Sequence, residues 1–147
     1  MPHTRDGAVP PSSRTGLVLR VVGAAALACS GYLHLRIGLG RPPLFADGQV
    51  TLSGLFLAQA AASALVVVWV LVRPSLISWS AFGTVAAASL AAVVLSTYVR
   101  VPAVGPFPEL YEPVWYLDKS LSAGAAAVAT AVAVAALLAL RRRIGHD

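Results

Sequence analysis

The sequence has 147 residues, of which 58% are hydrophobic and only 12% charged, with a formal net charge of +5. Soluble domains carry about a quarter charged residues, so this balance excludes an ordinary water-soluble domain and makes lipid the solvent. The eleven Lys and Arg residues sit near segment ends, and no basic helix interleaved with aromatics is present, which excludes a nucleic-acid surface.

In chain order, residues 1–15 (MPHTRDGAVPPSSRT) are polar and Pro-rich, and are expected to form a disordered cytoplasmic tail. The apolar run that follows continues past Cys29 as SGYLHLRIGLG, so it reads as a retained helix and not as a cleaved signal segment. Cys29 is the single cysteine, which rules out an intrachain disulfide and a Cys-based metal site. A membrane helix needs about 20 predominantly apolar residues. Four segments meet that requirement, at about residues 17–39, 50–72, 76–99 and 114–140. The predicted class is all-α: a polytopic membrane protein built as a four-transmembrane-helix bundle.

The breaks between segments carry ordinary turn chemistry. GLGRPPLFADG (38–48) holds glycines, a Pro pair and Asp-Gly. At RPS (73–75) the turn is tight, and Ser75 is placed to cap the third helix. The three prolines of RVPAVGPFPE end that helix, and Pro113 is suited to the first turn of the fourth, with Glu112 at its positive end. Arg5, Arg14, Arg20, Arg73 and Arg141–Arg143 fall on one side of the bundle. Arg36, Arg41, Arg100 and Lys119 fall on the other, mixed with acids. The positive-inside rule then puts both termini and a basic tail (141–147) in the cytoplasm.

Small residues on every segment predict a close-packed bundle without bulky walls for a large cavity. Gln59 and Ser63, four apart on one helix face, are the main intramembrane polar pair and predict interhelical hydrogen bonding. At the outer end each segment contributes polar residues: His34, Arg36, Asp47, Arg100, Glu109, Glu112, Trp115, Tyr116, Asp118 and Lys119. Glu112, Trp115, Tyr116 and Lys119 have helical spacing and are expected on one face. His34 is expected to pair with Glu109, Glu112 or Asp118. These groups either pair among themselves and close the mouth or offer it to a ligand or partner, and closure is the favoured expectation. No nucleophile or phosphate-cradling motif accompanies the acids, so no catalytic residue is assigned. No cofactor or metal is assigned either. His34 is the one histidine within a span, and haem would need a dimer, a partner subunit or one-sided ligation.

GYLHLRIG at the end of the first segment and FPELYEPVWYLDKSLSA leading into the fourth resemble small four-span integral membrane proteins of actinobacteria. That resemblance implies no assigned activity and no catalytic residues. The expected function is a non-enzymatic accessory or interaction subunit in the bacterial cell membrane, in contact with lipid and with another membrane protein or a second copy. The alternative is a redox or lipid-modifying subunit handling a quinone-like or lipid substrate, and a small transporter or channel follows behind.

Overall fold

A computed structural model describes residues 11–41, 45–46 and 49–144. The described residues form four helices: α1 (Pro11–Leu39), α2 (Leu52–Val72), α3 (Leu76–Tyr98) and α4 (Leu117–Ile144). All four are long and apolar enough to cross a membrane; the 21 residues of α2 reach about 30 Å at 1.5 Å per residue. A two-residue pair of strands, β1 (Phe45–Ala46) and β2 (Gln49–Val50), lies in the α1–α2 connection. Large apolar side chains such as Leu17, Leu65, Ile77 and Leu121 face outward on all four helices. An exterior of this kind suits a lipid solvent.

The helices form a closed ring in chain order, each against its neighbours, with α4 returning to α1. Neighbours run antiparallel. On α1 and α2, Arg20 Nη2 donates to the Leu71 carbonyl at one end, and Ser53 Oγ donates to the Gly38 carbonyl at 2.8 Å at the other. The start of α1, the end of α4 and the α2–α3 turn therefore share one end of the bundle. The α1–α2 and α3–α4 connections share the opposite end, here called the mouth.

Helix starts follow local chemistry. Ser75 caps α3 and forms a capping box with Ser78, whose hydroxyl also donates to the Arg73 carbonyl at 2.8 Å. Thr51, not anticipated as a cap, accepts from the Gly54 amide to open α2. Two boundaries differ from expectation. Helix α1 begins at Pro11, so it takes in residues 11–15 of the segment expected to be a tail; proline is well tolerated in a first helical turn. Residues 1–10 and 145–147 lie outside the described residues. Helix α4 begins at Leu117, so Pro113 does not open it, and Asp118 is the acid in its first turn. Glu112 precedes a proline, which biases it to extended backbone, and its amide donates to the Ser96 carbonyl at 2.7 Å instead of entering a helix.

Packing divides the bundle into unequal halves. The half away from the mouth has a dry core in which Leu27, Val70, Trp79, Phe82, Ala129 and Ala133 are buried together. Trp79 and Phe82 meet edge to face, with centroids 5.3 Å apart. Close approach depends on small residues: a Cβ built on Gly31 would stand 2.9 Å from Ser63 Cβ on α2. Gly31→Ala should therefore wedge α1 from α2. The overpacking penalty of ~1–3 kcal/mol outweighs the roughly 1 kcal/mol that alanine gains in helix propensity. Unfolding of the purified protein in detergent should show a net loss, largely recovered when Ser63→Gly is added.

Candidate functional site

Toward the mouth the expectation of close packing fails. A cavity of about 550 Å³ opens between the outer halves of the helices. The small residues that bring helices together lower in the bundle leave this space unfilled between α2 and α3. Gln59 forms the floor. Its Nε2 bridges α2 to α3 through the Val85 carbonyl at 3.3 Å, with Ser63 Oγ on its own face at 3.4 Å. Leu52, Leu55 and Phe56 of α2 face Ala88, Ala92 and Val93 of α3. Ala88 and Ala92 line the cavity yet remain exposed, so it opens sideways along α3. Ser89, also in the lining, is 1% exposed, and its hydroxyl has no hydrogen-bond partner among the described residues.

The roof is the α3–α4 connection. Val101 pairs with Leu110 and Val104 with Phe107 around Gly105, whose φ of 57° suits the residue without a side chain. The Val50 amide donates to the Pro106 carbonyl at 3.0 Å, and Glu112 N–H to Ser96. Backbone bonds thus tie the two mouth connections together and fasten the roof to α3.

Below the roof lies a compact charged cluster. Glu112 accepts from Arg41 Nη2 at 2.9 Å and from the Tyr116 hydroxyl at 3.4 Å. Lys119 Nζ donates to the Glu112 carbonyl and lies 4.0 Å from its carboxylate. Aromatic faces hold both cations: Arg41 lies 5.0 Å from the Phe56 centroid and Lys119 5.5 Å from that of Trp115. Burial, followed by the neighbouring Glu112 charge, raises the Tyr116 pKa above its ordinary value, which keeps the phenol a hydrogen-bond donor.

His34 joins from α1. Its Nδ1 lies 2.8 Å from the Ser30 carbonyl one turn back, and 3.2 Å from Ser122 Oγ on α4, which is itself 3.1 Å from Ser30 Oγ. A carbonyl oxygen only accepts, so Nδ1 carries the proton. That tautomer cannot take a proton from Ser122 through Nδ1, so the pair is not arranged as a nucleophile and its base. His34 therefore pairs with serines and not with the acids expected, because the carbonyl one turn back and a serine of the packed α4 lie nearer.

The remaining outer residues separate into two groups. Arg36–Asp118 at 3.5 Å and Arg100–Glu109 at 3.3 Å are ion pairs outside the cavity lining, in which Arg36 and Arg100 are well exposed. Such pairs contribute ~0–1 kcal/mol each. His34, Glu112, Tyr116 and Lys119 line the cavity, and Trp115 supports Lys119 from beside it. Asp47 lies outside the described residues. The expected outer site includes neither Arg41 nor Ser30 or Ser122, and Ser89 is expected only as an intramembrane polar residue sharing a face of the third helix with Ser96. Arg41 is expected only among the four outer basic residues that orient the chain and can pair with the acids, and the serines are indistinguishable from packing residues in so Ala-rich a chain. Among the described residues no three His, Cys, Asp or Glu side chains gather as a metal site. No protein-family model, curated protein or solved structure matches the chain.

Proposed function

We propose that this chain is a small non-enzymatic membrane protein that holds one lipid-soluble molecule in the hollow half of its bundle. The observation carrying this reading is the cavity itself: apolar walls, a lateral opening, and a charged cluster confined to one end. Its volume falls within the roughly 300–1,000 Å³ typical of small-molecule sites. The arginine distribution supports cytoplasmic termini and an extracytoplasmic mouth. The resemblance of two short motifs, GYLHLRIG and FPELYEPVWYLDKSLSA, to small actinobacterial four-span proteins leads us to propose a bacterial cell membrane. In this reading the mouth is closed by its own ion pairs, while the site lies beneath. An accessory role beside another membrane protein or a second copy is compatible with it, since the outward apolar faces remain free for lipid or protein.

Native mass spectrometry of the protein released from mild neutral detergent tests the proposal. The expected spectrum shows one small lipophile per chain, lost in Ala92→Trp, which fills the cavity from α3. A wild-type protein that takes up no lipophile from a supplied mixture sinks the reading. The reading assigns no cofactor, and a Soret band in the purified protein would overturn that part.

A further inference from the structure

The charge balance of the cluster identifies the class of ligand. Among the described residues, the ion pairs of Arg41 and Lys119 both run to one carboxylate, that of Glu112. Arg41 occupies one oxygen at 2.9 Å, while Lys119 stands at the 4.0 Å limit from the other, which also accepts from Tyr116. The Lys119 side chain is only 4% exposed and cannot turn to water for what it lacks. Counted over the described residues, the cluster therefore carries one net positive charge at the closed end of an apolar cavity. A buried cation without a full counter-charge is costly, and a second anion beside it restores the balance. Asp118 and Glu109 are not in place to supply it, since they pair with Arg36 and Arg100 outside the cavity lining.

We infer that the cavity takes an acidic amphiphile: an anionic head seated between Lys119 and Arg41, and an apolar body between α2 and α3. This rests on the ligand-binding reading above and specifies its head. Glu112 is then an internal competitor, holding the cations in place while the site is empty. A neutral head gains no ion pair here, and a cationic head is repelled. The buried, unpartnered hydroxyl of Ser89 is a second sign that the cavity's polar complement is incomplete without a ligand.

The test uses the full chain in zwitterionic lipid nanodiscs, with a fluorescent polyene fatty acid as probe. Competitors of matched chain length carry a carboxylate, a phosphate monoester, a methyl ester or a hydroxyl. Expected is binding of the probe and displacement by both acids at concentrations about tenfold or more below those of the ester and alcohol, the scale of one charge-assisted hydrogen bond. The two acid arms show which anion the site prefers. Lys119→Gln should erase that preference and Lys119→Arg retain it, while Glu112→Gln should strengthen probe binding several-fold. Equal displacement by acid, ester and alcohol, or weakened probe binding in Glu112→Gln, overturns the acidic head and leaves ligand binding intact. Failure of every amphiphile to bind overturns the underlying reading as well.

Discussion

Glu112→Ala is expected to lower the unfolding free energy in detergent by about 2–3 kcal/mol. Removing one member of a buried charge pair costs ~3–5 kcal/mol, because the partner stays behind uncompensated. The Glu112 side chain is 34% exposed, so solvent screening brings the expected loss to or just below the bottom of that range. Two cations are left behind, and they then face each other without the carboxylate that separates them. Lys119→Met alone should cost much less, because Glu112 retains Arg41 at 2.9 Å. The double variant Glu112→Ala, Lys119→Met should recover most of the loss. A double-mutant cycle by thermal or denaturant unfolding reads this directly. Additive losses would mean that the cluster does not act as a unit.

Phe82→Ala is expected to be at least as severe, at about 3–4 kcal/mol. Phe82 is fully buried, packs edge to face on Trp79, and points at the space left by Gly23 on α1. Truncation there removes dispersion contacts from three sides and leaves an apolar void that stays dry. Phe82→Leu should cost roughly a third to a half as much, in keeping with the smaller void. The contrast with the mouth is informative: Ala92→Trp adds bulk to space that no side chain fills, so in protein stripped of lipophile its effect on unfolding should be small. If Phe82→Ala unfolds like wild type, the dry half does not carry the stability attributed to it.

The four spans and the Ser75 cap were legible because each depends on local composition. Where α4 begins was not, since Pro113 in isolation is a good first-turn residue. What prevents it is a tertiary bond from Glu112 to Ser96, remote in sequence. The acids and aromatics of 109–119 stood out correctly as a polar group, yet their sorting into outward pairs and a cavity cluster follows from which arginine each acid meets. Arg41 occurs in a stretch full of turn formers, and nothing near it in sequence hints at Glu112, 71 residues away. The cavity was the largest feature missed. Alanine and serine runs look alike whether neighbouring helices close upon them or leave space between. That outcome depends on how two helices meet, which a single segment does not encode.

The division into a dry half and a hollow half also makes the protein mechanically uneven. Close-packed interiors resist compression because every atom already has neighbours at contact distance. Atoms around a void lack them on one side and can yield. Under hydrostatic pressure or lateral tension, the end bearing the α2–α3 turn behaves as a stiff peg. The end beneath the roof behaves as a compliant sleeve, and an occupant of the cavity would stiffen it. Strain applied by the bilayer is therefore absorbed in one leaflet and resisted in the other, a polarity that arises from packing alone.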